Sequence, residues 1–172
     1  MKKRLLAGLL AAMMVVSMMA TTAFAAGPGT APEVYSVTVD MADLLVLGAD
    51  SKVNKVDVSL VLGGYQSGWS TGVRSNFVLP STATVVGAKV TPGRAVAGGP
   101  ITSVIAVSKF KLTAPNGTSA EVSFKSSGAE TSALNGAPAR GYWTLSMYGQ
   151  NIGPDLNTVK YAGTSITIYY TV

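Results

Sequence analysis

The sequence predicts an all-β chain, an antiparallel β-sandwich of jelly-roll type with about eight short strands. Three observations carry this. In segment after segment apolar residues alternate with polar ones, the period of two that turns one face of a strand to a core and the other to water. Pro, Gly and Asn clusters separate those segments, notably "LGGYQSGWSTG", "TPGRAVAGGP", "APNGT", "LNGAPARG" and "GQNIGPDLN". Beyond the N-terminal segment no helical period is sustained. The best helical stretch, "MADLLVLGAD", is short, ends at Gly48 and could equally continue as a strand.

In chain order, "MKKRLLAGLLAAMMVVSMMATTAFAAG" comes first. Lys2, Lys3 and Arg4 precede an apolar run from Leu5 to about Ala20, and Ala23-Phe24-Ala25 has the small-x-small pattern of a cleavage site. Residues 1–25 therefore read as a secretory signal peptide. The other reading, an uncleaved anchor, is opposed by Ser17, Thr21 and Thr22, which interrupt the run short of a bilayer span. Residues 26–33, rich in Gly and Pro, are expected as a flexible leader, and residues 34–172 as one sandwich domain.

The first expected strand, "VYSVTVDM", puts Tyr35, Val37, Val39 and Met41 on one face; "KVDVSLVL" does so with Val56, Val58, Leu60 and Leu62. Further along, "KFKLT" turns Phe110 and Leu112 inward between Lys109 and Lys111, "AEVSFKS" does the same with Val122 and Phe124, and "SITIYYTV" with Ile166, Ile168 and Tyr170. In "ITSVIAVSKFKL" the apolar phase changes midway. A one-residue slip exchanges the faces of a strand, so a β-bulge near Val107 to Lys109 is the economical account; the alternative is a strand buried on both sides. Asn116-Gly117 between two alternating segments predicts a hairpin with a two-residue turn.

Composition bounds the function. The chain has no His and no Cys, which excludes Ser-His-Asp and Cys-His catalysis, disulfides and thiolate metal sites. An exported chain without disulfides is held by packing alone, a habit of secreted Gram-positive proteins; secretion to the outside or the cell envelope of such a bacterium is the expected address. The formal charge of +5 is inflated by Lys2, Lys3 and Arg4, and the remaining cations are scattered singly, so nucleic acid and, after cleavage, a membrane are not expected partners. A glycosidase needs two carboxylates roughly 5–9 Å apart. Glu33, Asp40, Asp43, Asp50, Asp57, Glu121, Glu130 and Asp155 mostly alternate outward or sit in turns, where solvated charges are the simpler account. No enzymatic activity is expected.

The order "KFKLTAPNGT", a polar strand, a loop and then "GYWTLSMYG" resembles the P domain, the jelly-roll β-sandwich that follows the catalytic domain in subtilisin-like proprotein convertases and some secreted bacterial proteases. Leu112, Pro115, Gly117 and Thr118 stand in that family's Leu-x-x-Pro-x-Gly-Thr hairpin, and Gly141, Trp143 and Leu145 in its Gly-x-Trp-x-Leu strand. The likeness covers about residues 101–172; Val107 and Ser108 stand where the family shows Asp-Leu. It implies a sandwich fold with Trp143 as a core anchor. The expected core is then Phe110, Leu112, Val122, Phe124, Trp143, Leu145, Ile166 and Ile168.

Two places suggest binding. "GGYQSGWSTG" presents Tyr65 and Trp69 in a Gly/Ser-rich loop; an exposed aromatic pair on a rigid β scaffold is how a sugar ring is stacked, and the alternative is that the rings fold back to cap the sandwich. "GQNIGPDLN" gathers Gln150, Asn151, Asp155 and Asn157, oxygen donors of the kind Ca²⁺ takes, though Asn and Asp are also ordinary turn formers. Function then divides between a surface binding module for a glycan or a protein partner and a self-associating envelope subunit built by strand addition, for which a detached first strand or the uncharged terminal segment "TSITIYYTV" is a candidate donor.

Overall fold

A computed structural model describes residues 49–172, which form one unit of ten antiparallel strands in two sheets, with no helix among the described residues. The strands are β1 (Asp50–Leu62), β2 (Ser67–Trp69), β3 (Val73–Phe77), β4 (Thr84–Thr91), β5 (Arg94–Gly98), β6 (Ile105–Thr113), β7 (Ser119–Ser123), β8 (Ala129–Thr131), β9 (Gly141–Asn151) and β10 (Asn157–Thr171). The signal peptide, the leader, the "VYSVTVDM" strand, the "MADLLVLGAD" stretch and the carboxylates Glu33, Asp40 and Asp43 lie outside the described residues.

The first sheet runs β1-β10-β4-β8, with β5 continuing β4 along the same side of β10; the second runs β2-β9-β6-β7, with β3 continuing β2 along β9. The break between β4 and β5 falls at Pro92, which has no N–H to give the ladder, and Gly93 donates instead to Thr164 Oγ1 at 3.2 Å. Between β2 and β3 one extra residue is accommodated: Ser70 N–H donates to Met147 O and Ser70 Oγ accepts Met147 N–H. Counted with these halves joined, eight strands pair first with last, second with seventh, third with sixth and fourth with fifth. That is a long hairpin rolled into two sheets, the jelly roll.

The inner faces follow the alternation. Val58, Leu60, Leu62, Phe110, Leu112, Val122, Trp143, Leu145, Ile166 and Ile168 are buried, while Phe124, just past β7, and Tyr170 pack on the core half-covered. Trp143 is fully buried, meets Phe77 edge-on at 6.2 Å between centroids, and its indole N–H donates to Ala139 O at 2.9 Å, so the one polar atom of the ring is satisfied inside the core.

The bulge falls where the alternation predicts it: the β6–β9 register shifts between Val107 and Lys109, leaving Ser108 as the extra residue. The hairpin falls at the predicted place with a different turn. Thr113 pairs with Ser119, Ala114 N–H donates to Thr118 O and Gly117 N–H to Ala114 O, so the loop is three residues, Pro115-Asn116-Gly117. Gly117 alone takes positive φ, at 88°. Pro115 sets the first turn position and prefers a type I turn closed by a left-handed residue to the two-residue turn expected from Asn-Gly. Two further expectations are corrected. The segments containing Trp69 and "RAVAG", read as loop, are strands β2 and β5. Neither shows alternation, β2 because it has only three residues and β5 because every residue in it is exposed.

Candidate functional site

The outer face of the second sheet carries an aromatic and cationic row. Gly68 faces inward, 3.6 Å from Leu62 where a Cβ would stand, which turns Trp69 outward. On β9 the buried phase Trp143, Leu145, Met147, Gly149 leaves Tyr142, Thr144, Ser146 and Tyr148 outward. The bulge at Ser108 does the same for β6: past it Phe110 and Leu112 point inward, so Lys109 and Lys111 project on the side of Tyr148. The register then sets Trp69 opposite Tyr148, Tyr148 opposite Lys109 and Lys109 opposite Ser123.

The rings of Trp69 and Tyr148 lie 5.2 Å apart at 59°. Lys109 Nζ is 5.3 Å from the Trp69 centroid and 5.2 Å from that of Tyr148, and also bonds Glu121 Oε2 at 2.6 Å. Lys111 Nζ stands 4.5 Å over the Trp69 ring, and one row further Arg74 stands 4.5 Å over Tyr142. Such contacts hold long side chains in place for about 0.5–1 kcal/mol each at exposed positions. The result is a pair of amphipathic rings edged by cations and hydroxyls on a rigid sheet.

Tyr65 lies elsewhere. It sits in the turn between β1 and β2, where Gln66 N–H donates to Gly63 O, at the end of the sandwich where Gly99–Val104 and Ile152–Leu156 also meet. Its backbone is left-handed (φ 57°), the one such non-glycine among the described residues, and it is 70 % exposed. The structure thus separates the two aromatics that the sequence pairs: Trp69 finds Tyr148, and Tyr65 stands among exposed Ile101, Val104, Ile152 and Leu156. Neither ring caps the core.

The oxygen donors of "GQNIGPDLN" are used within the same loop end. The two Nδ2 hydrogens of buried Asn151 serve three carbonyls, Asp155 O, Gly63 O and Leu62 O, one hydrogen being shared, and its Oδ1 accepts Gly153 N–H. Asn157 donates to Ser103 O and accepts Thr158 N–H. The Asp155 carboxylate accepts the Thr102 hydroxyl at 2.6 Å, and Gln150 lies outward on β9 beside Ser67 and Ala106. The Asn151 and Asn157 oxygens, weighed as calcium donors against turn formers, accept backbone N–H groups, the turn-forming role. Among the described residues no three acidic, His or Cys side chains gather as a metal cluster.

Of the other acids, Asp57, Glu121 and Glu130 each pair with a lysine on an outer face: Lys160 at 2.6 Å, Lys109 at 2.6 Å and Lys89 at 3.1 Å. The bond from Lys160, then the Gly163 N–H, hold Asp57 below its ordinary carboxylate value, and this clamp closes the bulge where the β1–β10 register shifts.

Tyr148, Lys109, Lys111 and Arg74 were not among the expected site residues. Their signal was present, since the outward phase of an amphipathic strand is read as easily as the inward one, but only register shows which outward residues meet. Comparison with protein families, curated proteins and solved structures finds no match to this chain.

Proposed function

We propose that the chain, released from residues 1–25, is a secreted, non-catalytic binding module of a bacterial, Gram-positive surface, and that it binds a glycan across the outer face of the second sheet. The observation that carries this is the Trp69–Tyr148 pair, two rings side by side on paired strands with serine, threonine and lysine neighbours. A pyranose presents a C–H face to such rings while its hydroxyls meet the polar neighbours. The strained, exposed Tyr65 supports a second point of contact at the loop end, because strain that burial does not require is kept where a side chain is used. In this reading the P-domain likeness resides in the hairpin and the Trp143 strand, where Pro115 lies against Gly141. Retention on insoluble cell-wall and plant polysaccharides tests it: binding should be lost in Trp69→Ala and in Tyr148→Ala with unfolding temperature unchanged, and indifference to every glycan sinks it.

The rival reading, an envelope subunit built by strand addition, is favoured by one feature: among the described residues β5 pairs only with β10 and all its residues are exposed, which leaves an edge open there. Its donor is not β10, which lies between β1 and the β4–β5 line in its own sheet. Concentration-dependent rods in light scattering, absent when Val96 is replaced by Pro, would favour this reading over the first.

A further inference from the structure

We infer that the ligand of this face is an acidic glycan, whose carboxylate or phosphate groups meet Lys111 and Arg74; the inference rests on the glycan reading above. On β2, β3, β9 and β6 the outward residues include three cations, Arg74, Lys109 and Lys111, and no acid, and β7 adds only Glu121, which Lys109 engages. Among the described residues Lys89 and Lys160, the outward lysines of β4 and β10, have carboxylate partners, whereas Lys111 and Arg74 have ring faces instead.

That placement discriminates between ligands. Lys111 occupies the face of Trp69 that a sugar would stack on. A neutral sugar must displace the ammonium into water and offers its charge nothing in return. An acidic sugar lets the same ammonium swing from the ring to the ligand's anion, freeing the indole and keeping the cation partnered. Arg74 over Tyr142 repeats the arrangement further along β9, so a chain of regularly spaced anionic sugars is read at two points of one sheet.

The test uses the secreted chain and soluble polymers: homogalacturonan against its uncharged, fully methyl-esterified form, with poly(N-acetylglucosamine 1-phosphate) as the phosphate source and single-stranded DNA as the non-glycan polyanion. Tighter binding of homogalacturonan or poly(N-acetylglucosamine 1-phosphate) than of the ester is expected, weakening with salt. Lys111→Gln and Arg74→Gln should each weaken the acidic polymer about threefold to fivefold, while the ester, with no cation left to displace from the ring, should bind as before or up to about threefold more tightly. Whichever acidic polymer binds identifies the anion. Equal binding of ester and acid, insensitive to both substitutions, overturns the inference and leaves the glycan reading standing. Binding of single-stranded DNA alone, or of nothing, overturns both.

Discussion

Gly141 opens β9 at φ +125°, far from the left-handed helical value near +57°, and a Cβ built there would stand 3.1 Å from both Cβ and Cγ of Pro115. Alanine at this position therefore meets two penalties: a backbone conformation that costs a side-chain-bearing residue about 1–3 kcal/mol, and a contact with a stiff ring that costs about 1–3 kcal/mol to relieve. The reduced freedom of the unfolded chain returns about 0.4–1 kcal/mol, so Gly141→Ala should lose about 2–4 kcal/mol. Gly117→Ala is the control, because at φ +88° it carries the backbone penalty with nothing within 4 Å of the new Cβ; it should lose about 1 kcal/mol. Urea denaturation at constant m-value measures both, and the double variant Pro115→Gly/Gly141→Ala, which removes both ring atoms, isolates the contact as a coupling of about 1 kcal/mol. If Gly141→Ala costs no more than Gly117→Ala, or if the double variant is additive to within about 0.5 kcal/mol, the strand start and the hairpin are not in the contact described.

Asn151→Ala removes the two amide hydrogens that serve three carbonyls and one acceptor oxygen from the loop end, and should cost about 3 kcal/mol, with added Ca²⁺ and chelator leaving the unfolding temperature of either protein where it was. Tyr65→Gly should be more stable than Tyr65→Ala by about 1 kcal/mol, the reverse of the usual order, because only glycine enters the left-handed region without cost. Asp57 is held below the ordinary value of 3.8, so its contribution is present above that pH and is lost as pH falls through the lower folded value; the advantage of the native protein over Asp57→Asn in thermal melts should shrink below about pH 4 and be level at neutral pH and above.

The long strands were legible where they are amphipathic: β6, β7, β9 and the second halves of β1 and β10 show their buried faces in a period of two, and the phase change at Ser108 is itself a sequence signal. Where a strand is short or lacks a buried face, that signal vanishes. Three residues of β2 cannot establish a period, and β5 has no buried residue to mark one. The hairpin's place follows from Asn116-Gly117, but its length is decided by Pro115, whose fixed φ suits the first position of a type I turn. The site was half legible for a different reason. That Trp69 would be outward could be suspected from its polar neighbours; that Tyr148 and two lysines would join it depends on β2, β9 and β6 being neighbours, a non-local fact that no window of sequence contains.

The rolled hairpin places its first and last strands side by side, Asp50 against Tyr170 at one end and Leu62 against Asn157 at the other. Both directions of chain leave the sandwich at the Asp50 end, about 40 Å along β1 from the turn that holds Tyr65. This makes the response to mechanical load directional. A pull between Ala49 and Val172 peels β1 from β10 one pair at a time, beginning at Asp50, and meets little resistance. When the chain is held ahead of β1 and the load enters through a ligand gripped at Trp69, the force runs along β1, and the whole ladder to β10 is sheared at once. The described unit is thus weak when Ala49 and Val172 are drawn apart and strong when the load enters at Trp69 against a hold at Ala49.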